Sequence, residues 1–493
     1  MRALIWLCLG VRAARAAEPL GVLVMGSNGV DKFYRLRGAG GATDVMGAKG
    51  YFVADGEVIG GVTLNHLSWA AALGVPTALA AVQGEDEPGR STRSAMAAHG
   101  ISDGGLSVRG NVSSSVSHVL LKENGERTIL MAPHATATLD KAEVEASFAN
   151  SAVLDRVRFV STKVSQVPLS GVSALVDAAT LRGIPTILDV DVPPSIAAGE
   201  AQLCESPKDV FELAKAATVL KTTRAAAAEM LSSIGYKAPK SEKDFDPLTA
   251  PLEDVAFKLL YVTRVRLVAV TDGLKGGALA STTARVALPP PPTGVSDDEL
   301  DTTGAGDAFF GGLIAVLWHR GLGLQEHRAP GETMSEAHKA ALPREEADLV
   351  HTLHVANAVG TAVCKVLGGL PPADGSGRAR ALAMIGDETI AATWLPPPKG
   401  AAKEAAAEAP PKGAAKEAAA EGEQAKAGGA AKEAAAEGVQ ARGEQVENEQ
   451  VEATAEGDQA EGGCAADAVG GRALARKEAT PISSLNHLAE GQI

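Results

Sequence analysis

The chain has 493 residues, with 46 Lys and Arg against 60 Asp and Glu, for a net charge of -14. That acidity excludes a surface built for nucleic acid or anionic lipid, since both require a basic face, and no apolar run reaches the roughly 18 residues of a spanning helix. A composition 45% hydrophobic and 22% charged is that of a globular chain, long enough for about two to four domains.

Residues 1–18 hold Arg2, Arg12 and Arg15, and no acid before Glu18, around the short apolar stretch Leu4 to Val11. Arginines after the apolar core fit a secretory signal poorly. An acid-poor, Arg-bearing start favours an organelle transit segment, for plastid or mitochondrion, with the cytoplasm as the alternative. The body, 19–395, reads as strands alternating with helices. GVLVM at 21–25 is a buried-strand run, Leu64 to Leu73 is a helix pattern stopped at Gly74, and TALAAV at 77–82 is a strand. Residues 114–131 alternate around Asn124-Gly125, the strongest short-range hairpin signal. VRFVS at 157–161, TILDV at 186–190, TVLK at 218–221 and LVAVT at 267–271 repeat the strand theme, with helical windows such as Leu169 to Leu181 between them. This rhythm predicts βαβ units and a mainly parallel sheet, whose strands are continuously apolar because both faces are covered.

Two stretches read as surface excursions rather than sites: the proline run with acids from Pro289 to Glu299, and the polar segment from Gln325 to Asp348. From Pro396 onward, PPKGAAKEAAAE occurs at 397–408 and again at 410–421. Such repeats form helix readily but have almost no apolar face, so 396–493 is expected to be a solvated tail without a core. Cys8, Cys204, Cys364 and Cys464 are scattered, with no metal-ligand spacing.

The strongest chemical signal is DTTGAGDAFFGG at 301–312. Glycines around a short turn free backbone N–H groups, and an apolar helix follows Asp307. N–H groups at a helix N-terminus make an anion site, suited to phosphate or to the charge that builds up in phosphoryl transfer. On local chemistry alone Asp307 is equally a plain helix cap or a base that takes a proton from an attacking hydroxyl.

DTTGAGDAFFGGL resembles the C-terminal signature of the ribokinase-like, or PfkB, family of carbohydrate and nucleoside kinases, and the resemblance extends in order over about 20–390. VMGSNGVD at 24–31 looks like the family's first strand and Asp-bearing turn. GGVTLN at 60–65 looks like its Gly-Gly…Asn segment, and QGEDEPG at 83–89 like its G-x-D-x-x-G turn. GERT at 125–128 matches the flap hairpin, VTDGLKG at 270–276 resembles the strand and turn over the nucleotide, and ANAVG at 356–360 with Gly368, Gly369 and Pro371 resembles the last helix and its exit.

The resemblance implies an α/β fold, a ribokinase-like three-layer sandwich with a mostly parallel central sheet, helices on both faces and a small β flap from about 30–60 and 110–131. It implies transfer of the γ-phosphoryl of ATP, with Mg2+, to a hydroxyl of a sugar-like small molecule. Asp307 is then the base, and Gly304, Ala305 and Gly306 form the anion hole. Asp31, Gly61 and Asn65 grip the acceptor's hydroxyls. Thr271, Gly273, Gly276 and Asn357 line the nucleotide, and Asp301 with Thr303 holds a monovalent cation, K+. Flap-mediated dimers occur in the family, and exposed edge strands need cover, so a homodimer is an expectation.

Departures qualify that reading. Where the family has Asn-x-x-Glu, a Glu that helps organise the Mg2+–phosphate water shell, this chain has Thr223 and Ala226, and Glu229 is expected to face solvent. Val62-Thr63 replaces the Lys-Gly of ribokinase itself, so the acceptor is not safely ribose. Lys163 reads as a solvated or salt-bridged lysine rather than a contact to an anionic acceptor, Asp189 and Asp191 as structural hydrogen-bonding groups rather than metal ligands, and His351 with His354 as a satisfied pair. Two rivals stand beside the kinase: a catalytically silent scaffold, motivated by the missing motif and the tail, and a nucleoside kinase, for which only Phe33, Tyr34, Tyr51 and Phe52 lie near the acceptor segments.

Overall fold

The runs of Val, Leu, Ile and Ala become the strands of one nine-stranded sheet in a computed structural model that describes residues 20–37, 51–121, 127–149, 153–237, 245–294, 301–322, 336–365 and 368–395. The expected transit segment, the Asn124-Gly125 turn and the tail lie outside the described residues. The strands are β1 (Gly21–Met25), β2 (Gly29–Arg37), β3 (Tyr51–Gly60), β4 (Thr77–Gly84), β5 (Ser102–Arg109), β6 (Ser115–Leu121), β7 (Arg127–Ala132), β8 (Val157–Val164), β9 (Thr186–Val190), β10 (Val219–Thr223), β11 (Leu267–Thr271), β12 (Gly277–Ala280) and β13 (Arg285–Leu288). The helices are α1 (Val62–Ala72), α2 (Glu87–Ala98), α3 (Lys141–Val144), α4 (Leu169–Leu181), α5 (Pro194–Ala198), α6 (Pro207–Ala216), α7 (Arg224–Ser233), α8 (Leu252–Thr263), α9 (Ala305–His319), α10 (Glu336–Ala341), α11 (Glu346–Val363), α12 (Ser376–Ile385) and α13 (Glu388–Trp394).

The large sheet runs β13-β12-β11-β10-β9-β8-β1-β4-β5. Every pairing from β5 across to β11 is parallel, and β12 and β13 are antiparallel additions at one edge. The chain leaves β1 toward β4 and β5, then returns to its other side with β8. That reversal makes β1/β8 the topological switch point, beyond whose carboxyl ends such sheets bind ligands.

Alternation along each strand divides two cores. Val22 and Val24 of β1 face a core shared with α1, α9, α11 and α12, while Leu23 and Met25 face one shared with α4, α6, α7 and α8. The three layers follow from that period of two. A second sheet, β3-β2-β6-β7, forms the flap. Its β6 and β7 pair antiparallel from Val116↔Ala132 to Leu121↔Arg127, the hairpin expected around Asn124-Gly125. On it Phe52, Ile129, Leu130 and Met131 are exposed.

The helix α9 is buried from Asp307 to Leu317. It lies between α1 and α11, and two glycines make that possible. A Cβ on Gly311 would sit 2.6 Å from the His66 carbonyl oxygen and 2.7 Å from Trp69 Cβ, and one on Gly312 would sit 3.0 Å from Val359. The helix also starts earlier than the sequence suggests, at Ala305 rather than Asp307. Its cap is Gly304, with φ 74°, a left-handed conformation that glycine adopts without strain.

Because the neighbour of Gly311 is α1 backbone, Gly311→Ala is expected to overpack the α1–α9 contact and cost about 1–3 kcal/mol, read as a lower urea midpoint at unchanged slope.

Candidate active site

At the carboxyl ends of three adjacent strands the apolar face turned toward α9 gives way to charge. Phe159, Ile187 and Val219 are core residues, and further along the same face of β8, β9 and β10, four, two and two positions on, stand Lys163, Asp189 and Lys221. Cross-strand register puts Lys163 opposite Asp189 and Asp189 opposite Lys221, so the three share one row on one face. Asp189 Oδ2 lies 3.0 Å from both ammonium groups. Asp191, just past β9, adds a carboxylate 3.7 Å from Lys163 and 3.9 Å from Lys221. Side-chain exposure is 1% at Lys163 and 0% at Lys221 and Asp189, and charges so enclosed persist only when paired.

Asp307 closes this group from the helix layer. It is the third residue of α9 and 5% exposed. Its Oδ1 accepts a hydrogen bond from Lys163 Nζ, and its Oδ2 accepts one from Asn65 Nδ2 at 2.9 Å. It does not cap its own helix. Burial raises the Asp307 pKa above the ordinary carboxylate range, opposed by the Lys163 charge. Burial works against Lys163 as well, but the charges of Asp189, Asp191 and Asp307 outweigh it and raise the ammonium's pKa. At Asp191 burial is outweighed by Lys163 and Lys221, and its pKa falls.

The turn before α9 is held by Asp301. Its Oδ1 accepts from the Thr303 backbone N–H at 2.9 Å and from the Thr303 hydroxyl, and its Oδ2 accepts from Gly368 N at 3.1 Å. A Cβ on Gly304 would reach 2.6 Å from Gly369 Cα. The first bond of the helix ladder is Ala308 N–H to Gly304 O, at 2.7 Å, and the Ala305 N–H bonds Thr302 O. The N–H groups of Gly306 and Asp307 therefore stand outside the ladder, at the positive end of the helix dipole.

Ala305 and Gly306 also border a cavity of about 460 Å³, within the range of small-molecule sites. Thr271, Gly273, Gly276 and Asn357 all line it, beside Thr302, Phe309 and Gly360. Pro290, Pro291 and Thr293 form another wall, tied in by Asn357 Nδ2, which donates to Leu288 O at 3.0 Å and Pro289 O at 3.2 Å. The described part of the proline stretch is thus a cavity wall and not a surface excursion. Its prolines give up no N–H to the sheet edge and pack as apolar surface.

Where β1 meets α1, Gly61 caps α1 with φ 100°, and a Cβ there would sit 2.7 Å from Asn28 Cα. Asn65 lies one turn along, against Asp307. Ser27 Oγ, Thr63 Oγ1 and Asn65 Oδ1 are buried without a hydrogen-bond partner around this junction of β1 and α1. Asp31 lies on the flap, hydrogen-bonded to Ser117, with its pKa raised by burial.

The metal side differs from the family pattern. Thr223 Oγ1 accepts from Ala226 N at 3.2 Å, capping α7, and Ala226 is fully buried. Glu229, expected to face solvent, instead accepts from Ser195 N at 2.8 Å and Ser195 Oγ at 3.0 Å. Among the described residues no group of three or more His, Cys, Asp or Glu is placed to hold a metal. The side chains present do not fit a protein-held Mg2+, and both oxygens of Asp301 accept hydrogen bonds that brace the turn. The residue that sequence reasoning missed is Lys221. Its signal was a lysine inside a strand, two residues on from the apolar Val219 and so on the same face.

A three-layer α/β sheet with a β flap and a buried carboxylate on the first turn of the helix that borders the cavity defines the ribokinase-type fold. The pfkB carbohydrate kinase family matches residues 54–374, and the chain belongs to that family. It is 23% identical over 322 residues to "Probable fructokinase-6, chloroplastic" of Arabidopsis thaliana, covering 63% of this chain and 71% of that protein. Among solved structures it superposes on a fructokinase with bound ATP from Xylella fastidiosa with TM-score 0.54 and 16% identity, over 75% of this chain and 99% of that one. A ribokinase from Giardia lamblia gives TM-score 0.54 and 16% identity, over 74% and 99%.

His66, next to Asn65, is fully buried, with Nδ1 3.1 Å from Val62 O and Nε2 3.4 Å from Ser161 Oγ. Burial, then the charge of Lys163, holds its pKa well below 6.5. The folded state therefore keeps it neutral while the unfolded chain protonates it below about pH 6.5, so its contribution is present above that pH and lost below it. Stability should fall by up to about 1.4 kcal/mol per unit of pH below 6.5, and the difference between wild type and His66→Asn in urea titrations at pH 7 and 5.5 should show that component disappear.

Proposed function

We propose that this chain transfers the γ-phosphoryl of ATP to a hydroxyl of a sugar-like small molecule, with Asp307 as base. The observation that carries the reading is that one turn of α9 serves both substrates. Ala305 and Gly306 face the cavity, and Asp307, one residue on, is buried beside Asn65 at the acceptor side. ATP would lie along Thr271, Gly273, Gly276 and Asn357 with its γ-phosphate at the Gly306 and Asp307 N–H groups. The unpaired Ser27 Oγ, Thr63 Oγ1 and Asn65 Oδ1, with Asp31 brought down by the flap, suit a polyhydroxylated acceptor, because buried polar atoms left without a partner select ligands that supply one.

In the reaction the acceptor hydroxyl loses its proton to Asp307 and its oxygen bonds the γ-phosphorus. The bond from that phosphorus to the β-γ bridging oxygen breaks, and ADP leaves. The N–H groups of α9 neutralise the charge on the transferring group. Mg2+ would come with the nucleotide, held by its phosphates and water, because Thr223 and Ala226 offer no carboxylate. The acid-poor start and the chloroplastic relative support a plastid location. The exposed flap residues Phe52, Leu130 and Met131 support a homodimer through the flap.

Asp307→Asn should lower ADP release at least about 100-fold across a panel of pentoses, hexoses, polyols and nucleosides, while equilibrium dialysis still finds ATP bound. Absence of turnover in the wild type with every acceptor, ATP still binding, would favour the silent scaffold instead. Light scattering should give twice the chain mass, and Leu130→Asp should return it to the monomer value.

A further inference from the structure

We infer that Lys163 is a positioning residue for the base, holding Asp307 in line with the acceptor, and that it does not bind the acceptor itself. The inference rests on the kinase reading above and deepens it, because it also sets the acceptor's charge. An ammonium has three N–H donors, and three carboxylates stand around Lys163. Asp307 Oδ1 accepts its hydrogen bond from the helix side, Asp189 Oδ2 lies at 3.0 Å in the same strand row, and Asp191 Oδ1 lies at 3.7 Å past the strand end. With 1% of the side chain exposed, Lys163 presents almost no surface to a ligand.

The charge count points the same way. Lys163 and Lys221 face Asp189, Asp191 and Asp307. The neighbours from α1 add no charge, Asn65 being an amide and His66 being held neutral by burial. The group is therefore one unit negative, and a carboxylate or phosphate at the reacting end of the acceptor would meet repulsion. Lys163 instead serves the base. It opposes the burial that pushes Asp307 toward its protonated form and fixes one oxygen while Asn65 fixes the other. The acceptor hydroxyl then has one carboxylate orientation to meet. When Asp307 takes the proton, Lys163 keeps Asp189 and Asp191 as partners, so no buried ammonium is stranded. The acceptor that suits this site is uncharged near its reacting hydroxyl: a neutral sugar or polyol.

The test uses Lys163→Met together with Asp189→Asn, which leaves one lysine with two carboxylates and so preserves the net charge of the group. We expect the double variant to lose at least about tenfold in kcat at pH 7, with KM for ATP within about twofold. The acid limb of its kcat profile should move up by about one pH unit, because Asp307 has lost its nearest positive charge. Wild type should prefer a neutral sugar to the sugar acid of the same chain length. A kcat and acid limb matching wild type would reduce Lys163 to a structural role and overturn the inference. So would a wild-type preference for the sugar acid that the variant loses, since Lys163 would then be an anion receptor. If the double variant does not fold, Lys163→Arg carries the test: it keeps the charge but not the three-way geometry, and undiminished kcat overturns the inference. Turnover that survives Asp307→Asn, or a wild type inactive on the whole panel, sinks the kinase reading instead. In that case carboxyl 13C titration of Asp307 still decides Lys163, whose replacement must raise the Asp307 pKa.

Discussion

One carboxylate shared by two lysines inside the central sheet sets the terms for everything around it. Asp189 lies 3.0 Å from both Lys163 and Lys221, all three out of reach of water. Taking three charges from water is costly, and the loss of any one partner leaves the others stranded, typically at about 3–5 kcal/mol. Asp189 and Asp191 already match the two positive charges, and the helix layer above adds a third negative group at that spot. Asp307 is that group, and its position dictates where α9 begins. Gly304 in a left-handed turn, with Gly369 pressed against it, and Gly311 and Gly312 against α1 and α11, are the means by which the helix comes close enough.

The same constraint explains how the Asp307 carboxylate can remain buried. A lone carboxylate at 5% exposure would protonate and lose its basicity. Here the compensating charge is built into the sheet, on the same strand face as apolar residues that pack normally. The carboxylate on α9 and the charged row in β8, β9 and β10 are thus one electrostatic arrangement, and Ala305 and Gly306 of the same turn border the cavity on the other side.

Much of this was legible in the sequence, for reasons that can be named. Parallel strands are covered on both faces, so GVLVM, TILDV and LVAVT stood out as unbroken apolar runs, and α4 coincides with its helical window. The flap hairpin followed from strict alternation around Asn-Gly. The start of α9 was read two residues late because Gly304-Ala-Gly306 carries poor helix propensity, and what begins the helix there is a tertiary contact with Gly369. The cavity wall at Pro290 and Pro291 was hidden because a proline run looks the same whether it faces solvent or an apolar cavity. Lys163 and Lys221 were hardest to place. A single lysine in a strand usually snorkels to water, and the partner that forbids it, Asp307, is 144 residues from Lys163. The divergence at Thr223 and Ala226 was visible at once, but its outcome, a capped α7 and a Glu229 bound to Ser195, depended on packing.

The span of these contacts bears on the order in which the molecule is made. Asn65 and Asp307 are 242 residues apart, and α9 is enclosed between a helix that leaves the ribosome early and one, α11, that leaves late. After β1 and β2, which start the two sheets, each strand up to β11 can pair as it emerges, since it lies beside a predecessor already made. The charged row at their carboxyl ends, however, waits for residues 301–319 before its lysines meet their last partner. During synthesis the nascent sheet therefore holds an open, charged slot, and unpaired polar groups keep water in it rather than let it collapse. Completion of the fold and assembly of the site become a single late event, so a chain broken off before α9 has neither.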